Sequence, residues 1–238
     1  MKRYITTSLI CLLALFSKGQ QESDSYIVAF YNVENTFHPS NDSLTNDDDF
    51  TPTGLYHWSY KKYYKKISNI AKVFIAMGKG SPPAIIGLAE IENEQVLKDI
   101  CYHSPLQKYG YRYVHHDSPD RRGVDVALLY RDTIVHILRE HKVPIIFPFE
   151  PNTRNRDLLY VCAQFPNGDS LHLIVNHWTS RYGGYAATIP KRNYYADVAR
   201  QIADSLLGEN PKANILYMGD FNDYCTDESL SQHLRAKP

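Results

Sequence analysis

Short segments rich in β-branched and aromatic residues recur along almost the whole sequence, and this recurrence constrains the fold most. They are YIVAFYNVEN (26–35), AIIGLAEIEN (84–93), YRYVHHD (111–117), DVALLYR (125–131), TIVHILREHKV (133–143), LLYVCAQF (158–165), LHLIVNHW (171–178) and NILYM (214–218). Segments of this length and composition, separated by turn-forming residues, predict strands. Sheets built from so many strands need helices or a second sheet to cover their apolar faces.

Helical spacing of apolar residues occurs between some of these strands. One face of the segment 59–77 collects Tyr60, Tyr63, Ile67, Ile70 and Phe74. A short helix is predicted at 94–102, and a longer one at 193–207, which Thr188 caps, Pro190 starts and Gly208 closes. Because strands outnumber helices and helices follow some strand ends, the pattern predicts an α/β or α+β fold.

The first 19 residues have the pattern of an export signal: a basic start, the apolar run SLICLLALF and a small-residue cleavage site ending at Gly19. The apolar run is too short for an ordinary transmembrane helix, so we expect no stable membrane span. Residues 20–238 carry 23 basic and 26 acidic side chains, a formal charge of −3. This balance argues against binding nucleic acid through a global positive field but permits a local basic cleft. We expect an exported monomer, periplasmic or secreted.

Polar side chains follow four of the predicted strands at the point where each strand ends. They are Asn32 with Glu34, Glu90 with Glu92, Asn176 with His177, and Asp220 with Asn222. Each pair alone is typical of a turn, a solvated end or a packed histidine. Because the carboxyl ends of strands in α/β sheets often form one binding rim, we expect these groups to meet there. Carboxylate and amide oxygens with a histidine suit a Mg²⁺ or Mn²⁺ site that handles a phosphoester.

Five sequence blocks resemble the endonuclease/exonuclease/phosphatase superfamily and occur in that family's order. They are FYNVEN, GLAEIEN, RRGVDVALLYR, VNHWTSR and MGDFND, between Tyr26 and Asp223. The resemblance is greatest to exported bacterial members described as endonucleases. It implies a four-layer sandwich, in which two mixed β-sheets pack face to face with helices outside.

The resemblance also implies a role for each matching residue. Glu90 would be the principal metal carboxylate, with Asn32 beside it, and the cation would be Mg²⁺ or Mn²⁺. His177 would hydrogen-bond a non-bridging phosphate oxygen, and Asp220 would orient the attacking water or serve the leaving group. Asn222 would help to position the phosphate.

Four further residues are candidates for contact with the substrate. Asp125, in GVDVA, is expected on the same rim. Arg122, Arg156 and Arg181 are candidate phosphate contacts because a guanidinium matches phosphate oxygens bidentately, although an ordinary surface role is as good an interpretation of each.

The sequence departs from the family pattern after MGDFND. Family members continue with further strands and a Ser-Asp-His that supplies the general base, whereas this sequence ends at DESLSQHLRAKP, in which His233 is a poor counterpart. We therefore expect the domain at 20–238 to lack its C-terminal part, its second sheet to be incomplete and its activity to be reduced. A truncated reading frame, a piece of a longer protein and a true variant all remain open.

Three functions fit these observations. The leading hypothesis is an exported, divalent-metal-dependent phosphodiesterase that hydrolyses nucleic acid by attack of water. The second is a phosphatase or sphingomyelinase-like hydrolase of small or lipid phosphoesters. The third is a truncated product with little or no activity.

Overall fold

The computed structural model describes residues 25–78 and 80–236, so the predicted signal peptide at 1–19 lies outside the described residues. The strands are β1 (Val28–Thr36), β2 (Ile85–Ile91), β3 (Tyr111–His115), β4 (Asp125–Arg131), β5 (His136–Val143), β6 (Leu158–Gln164), β7 (Ser170–His177) and β8 (Asn214–Asp220). The helices are α1 (Tyr60–Met77), α2 (Glu94–Tyr102) and α3 (Tyr185–Glu209). Each of the predicted strand segments forms a strand.

The strands form two four-stranded sheets, one from each half of the chain. The first sheet has the order β1-β2-β4-β3 and the second the order β5-β6-β7-β8. Strands β1 and β2 are parallel, as are β7 and β8, while the other pairings are antiparallel. Both sheets are therefore mixed, as the family resemblance implies.

Three apolar clusters separate four layers. The middle cluster lies between the sheets and contains alternate residues of facing strands, among them Ile85, Leu128, Val161 and Val175. Helices α1 and α2 cover the outer face of the first sheet, and α3 covers that of the second. The predicted four-layer sandwich is confirmed.

Close approach of the two sheets explains a glycine in the middle of a buried strand. A Cβ atom on Gly87 of β2 would overlap the sulfur of Met218 on β8. Strand β8 contacts both β1 and β2 across the sandwich. The absence of a side chain at Gly87 thus brings the carboxyl ends of β2 and β8 together.

Helix α3 begins and ends differently from the prediction. It starts at Tyr185, with Gly184 as the N-cap at φ 100°, and it runs through Pro190 and Gly208 to Glu209. Thr188 does not cap the helix, because its hydroxyl donates to the carbonyl oxygens of Gly184 and Tyr185 inside the first turns. As the sixth residue of the helix, Pro190 has no N–H to donate to the carbonyl oxygen of Ala186, so the helix lacks one hydrogen bond there.

No helix in residues 25–78 and 80–236 has the length and apolar character needed to cross a membrane.

Candidate active site

The two sheets meet at Asn32, in the middle of β1, where the regular pairing with β2 ends. Its amide nitrogen donates to Glu90 Oε1 at 3.2 Å and to Asp220 Oδ2 at 3.1 Å. Glu90 belongs to the first sheet and Asp220 to the second. The predicted rim therefore exists, and it is shared between the sheets.

A bulge in β2 turns Glu90 toward this rim. Leu88 and Ile91 both pack under the helices, whereas a regular strand would send residues three apart to opposite faces. The extra residue is Glu90, whose φ is 65° and at which the pairing of β2 shifts register on both sides. Its Oε2 accepts a hydrogen bond from the backbone N–H of Asn35 at 2.6 Å. The left-handed backbone thus aims a carboxylate that would otherwise point under α1.

His177 ends β7 and is almost fully buried. Its Nε2 lies 3.7 Å from Glu90 Oε1. Burial, with the nearby positive charges of Arg156 and Arg122, lowers the pKa of His177 to about 2. The contact with Glu90 is therefore not an ion pair, and the imidazole is neutral. Its Nδ1 is buried without a hydrogen-bond partner among residues 25–78 and 80–236.

Asp220 and Asn222 are held by the loop that follows β8. Residues His177 and Asp220 are register partners in the parallel β7–β8 pair. The backbone N–H of Asn222 donates to Asp220 Oδ1 at 3.0 Å, and its side-chain amide donates to the carbonyl oxygen of Trp178. Asn222 has a left-handed backbone, with φ 51°. The motif GDFN is thus a turn that fixes Asp220 beside His177.

The three candidate arginines differ in how they are engaged. Arg156 is buried and donates to the carbonyl oxygens of His177 and Trp178. Arg181 donates to the carbonyl oxygen of Asn222 and pairs with Asp223 and Asp227. Arg122 is exposed, and its one ion pair among the described residues has a 3.7 Å separation. Arg156 and Arg181 therefore stabilise the loops of the rim. The guanidinium of Arg122 still has N–H groups that make no hydrogen bond within the described residues.

Asp125 lies on the rim, since it pairs with Ile91 at the end of β2. Its Oδ1 accepts from the backbone and hydroxyl of Ser118, and its Oδ2 is 3.2 Å from His115 Nε2. His115, Asp117 and Asp125 could hold a metal ion by distance. However, the two nitrogens of His115 face different carboxylates, an arrangement that hydrogen bonding explains. Asp125 therefore orders the loop before β4.

The residues around Glu90 fit a divalent cation better. Glu90 and Asp220 place two carboxylates around a single amide group of Asn32. This donor set consists of hard oxygens, which Mg²⁺ and Mn²⁺ prefer. The neutral imidazole of His177 lies beside these carboxylates and can donate a hydrogen bond.

Sequence reasoning missed the burial of two ionisable groups near the rim. Arg192 of α3 is fully buried and pairs with Asp223 at 2.7 Å. Glu92 is buried, and burial, followed by the charges of Asp47 and Asp42, raises its pKa to about 8 despite a hydrogen bond from the His38 backbone. A second glutamate in the block GLAEIEN was the available signal for Glu92.

The ion-pair partners of His233 are not residues of this rim. Its Nδ1 lies 2.8 Å from Asp197 Oδ1 on α3, and its Nε2 is 3.5 Å from Glu228. These contacts support the view that His233 is no counterpart of the family's base.

Comparisons with known proteins agree with this fold. The sequence model described as "Endonuclease/Exonuclease/phosphatase family" matches residues 27–238. No curated protein sequence matches the chain. Among solved structures, a mannosyl-6-phosphatase from Bacteroides thetaiotaomicron is similar with a TM-score of 0.60 and 19% identity, over 89% of this chain and 70% of that one.

Two eukaryotic structures have the same fold. The human Nocturnin catalytic domain has a TM-score of 0.53 and 15% identity, over 70% of this chain and 60% of its own. A truncated Caenorhabditis elegans TDP2 has a TM-score of 0.53 and 16% identity, over 73% of this chain and 60% of that one. Each alignment thus covers less than two thirds of the length of the Nocturnin or TDP2 structure. The chain belongs to the endonuclease/exonuclease/phosphatase family, a family of phosphoester hydrolases.

Proposed function

We propose that this protein is an exported, divalent-metal-dependent phosphodiesterase that cleaves nucleic acid. One observation carries the proposal. The side-chain amide of Asn32 donates to both Glu90 and Asp220, and the neutral imidazole of His177 lies beside them. Export rests on the sequence pattern of residues 1–19.

The proposed mechanism assigns each side chain one task. Glu90, with Asn32, would hold a Mg²⁺ or Mn²⁺ ion, which supplies positive charge opposite the phosphate oxygens. His177 donates its single N–H to a non-bridging oxygen, and being neutral it adds no charge of its own to the buried rim. Asp220 accepts a hydrogen bond from the attacking water and orients it in line with the leaving oxygen. The backbone N–H of Asn222 keeps Asp220 in place.

Activity assays on residues 20–238 test the proposal. We expect plasmid DNA and bis(p-nitrophenyl) phosphate to be hydrolysed with Mg²⁺ or Mn²⁺ and not with EDTA. Substitutions Glu90→Gln and Asp220→Asn are expected to lower kcat by about 10²-fold or more, since each removes a charge that acts on the transition state. The matched control is Asp204→Asn, an exposed carboxylate of α3 paired with Arg200. Equal rates for Glu90→Gln and the control would falsify the assignment.

The second candidate is hydrolysis of small or lipid phosphoesters. The fold likeness to a mannosyl-6-phosphatase favours testing it. Parallel assays on RNA, p-nitrophenyl phosphate, sugar phosphates and sphingomyelin decide the matter. A higher kcat/KM on a monoester or on sphingomyelin than on DNA would replace the nuclease proposal with this one.

A further inference from the structure

A cavity of about 640 Å³ opens at the loop that follows His177 and Trp178, and we call it the arginine pocket. Its wall includes Thr179 and Ser180, which follow His177 and Trp178 in the chain. Arg156, another wall residue, donates to the carbonyl oxygens of both His177 and Trp178. The volume of the pocket lies in the usual range for ligand sites. A substrate whose phosphate meets His177 therefore extends naturally into this pocket.

The charge of the arginine pocket is strongly positive. Its lining contains Arg122, Arg154, Arg156 and Lys191 but a single carboxylate, that of Asp120. Two of the cations are neutralised locally, because Arg156 pairs with Asp120 at 3.2 Å and Lys191 pairs with Glu150 at 2.7 Å.

Among the described residues, one further cation of the pocket has no partner and another is only loosely paired. The guanidinium of Arg154 is exposed and has neither a hydrogen bond nor an ion pair within the part of the chain that the structure describes. The guanidinium of Arg122 lies 3.7 Å from the Asp120 carboxylate, which the Arg122 backbone N–H holds with a hydrogen bond of 2.9 Å. Both side chains also line the adjoining cavity. Free guanidinium groups at the mouth of a cavity suit a phosphate, which they can bind bidentately.

An aromatic side chain stands at the edge of the same pocket. Tyr182 is 98% exposed. Its backbone is nevertheless held, since its N–H donates to Ser180 Oγ and the adjacent Arg181 pairs with Asp223 and Asp227. An exposed ring on an anchored turn offers a face on which a nucleobase can stack.

We infer that the arginine pocket is a second anionic subsite, which binds the phosphodiester next to the scissile one in a nucleic-acid strand. Arg154 and Arg122 bind this second phosphate, and Tyr182 stacks on the base between the two phosphates. The inference rests on the proposed function and specifies its substrate as a strand with consecutive phosphates. A lone phosphomonoester would leave this subsite unused.

Selectivity between two substrates tests the subsite. The readout is kcat/KM for a single-stranded oligonucleotide divided by kcat/KM for bis(p-nitrophenyl) phosphate, which has no flanking phosphate. We expect Arg154→Ala and Tyr182→Ala each to lower this ratio about tenfold. The matched control is Arg139→Ala, an exposed arginine of β5 outside the pocket, which is expected to keep the wild-type ratio. Equal ratios in Arg154→Ala and Arg139→Ala overturn the subsite while the proposed function stands.

Binding without turnover separates the two ideas further. In a Glu90→Gln background, anisotropy of a fluorescein-labelled oligonucleotide gives affinity as a function of salt concentration. We expect Arg154→Ala to reduce the slope of log K against log [salt] by about 0.7, the value for one phosphate contact on a single strand. An unchanged slope overturns the subsite. Wild-type protein that binds with the expected slope but hydrolyses neither substrate overturns the proposed function alone.

Discussion

At the scale of single residues, the site depends on backbone conformations that side chains rarely adopt. Glu34, Asn35, Glu90 and Asn222 all have φ between 50° and 65°. Left-handed non-glycine residues cost of order 1 kcal/mol or more each, and they persist where surrounding structure holds them. Here they aim Glu90 and Asp220, either directly or through the backbone N–H groups of Asn35 and Asn222.

His177 is expected to act as a neutral donor. Because burial and two arginines lower its pKa to about 2, it carries no charge at any working pH. His177→Gln should lower kcat about 10²–10³-fold, as the loss of one transition-state donor does. The wild-type kcat profile should show no step near pH 6.5 from this residue. NMR of the imidazole nitrogens checks the charge, and a titration near pH 6.5 would contradict the assignment.

Glu92 is expected to make stability fall as pH rises. Its pKa is raised from 4.5 to about 8, so between these values the folded state holds a proton that the unfolded state releases. Stability then declines by up to about 1.4 kcal/mol per pH unit across that window. In Glu92→Gln this decline should disappear, because an amide neither binds nor releases a proton in this range. Urea midpoints at about pH 5 and about pH 8 measure the difference.

Asp204→Asn is the control for the Glu92 experiment, since the Asp204 carboxylate is exposed. It should keep the wild-type dependence on pH. A Glu92→Gln variant with that same dependence would rule out the buried proton.

The sequence predicted the positions of the site residues better than their contacts. Asn32, Glu90, His177 and Asp220 could be found because each ends an apolar strand. The engagement of Arg156 by two carbonyl oxygens could not be found, because it depends on the path of the loop after β7. Long-range contacts of this kind leave no periodic signal in a sequence.

At the scale of elements, the strands were predictable and the helix ends less so. Strand β6 was predictable because it is apolar on both faces, and both faces are covered: Leu158 and Tyr160 pack under α3, whereas Leu159 and Val161 pack between the sheets. The start of α3 was missed because Pro190 usually marks a first turn. In the structure the aromatic ring of Tyr185 covers the guanidinium groups of Arg181 and Arg192, which extends the helix backward.

Gly87 is expected to set the spacing between β2 and β8. Gly87→Ala should destabilise the protein by about 1–3 kcal/mol, since the new methyl overlaps the Met218 sulfur. In a double variant with Met218→Ala, the two losses of stability should be less than additive, because the shorter side chain makes room for the new methyl. Chemical denaturation of the single and double variants measures both effects.

A glycine-to-alanine substitution at Gly208 should instead increase the stability of the protein. This helical glycine has no atom within 4 Å of a new Cβ, so Gly208→Ala should stabilise by about 0.5–1 kcal/mol. If Gly87→Ala were as stable as Gly208→Ala, the sheets would not be in close contact at β2 and β8.

At the scale of the whole molecule, the candidate cation site is also a contact between layers. Asn32 and Glu90 come from the first sheet, and His177 and Asp220 from the second. Without a cation, the carboxylates of Glu90 and Asp220 repel each other across this contact. A bound divalent ion should therefore tighten the association of the sheets.

Metal binding is expected to raise the melting temperature of the protein. A ligand at 100 times its Kd adds about 2.7 kcal/mol of stability when the unfolded chain does not bind it. Titration with MnCl₂ should raise Tm in the wild type and in Asp204→Asn, and much less in Glu90→Gln. Without metal, Glu90→Gln should melt above the wild type because a repulsion is gone. Differential scanning fluorimetry measures both shifts, and an equal response to Mn²⁺ in all three proteins would place the ion elsewhere.

Because the chain forms its two sheets one after the other, each half of the sequence supplies only part of the candidate site. Strands β1–β4 precede Asp132 and carry Asn32 and Glu90, while β5–β8 follow it and carry His177 and Asp220. Either half-length polypeptide would contribute one acid to the reaction and lack the other. The candidate site is therefore complete only when the two halves of the polypeptide pack together.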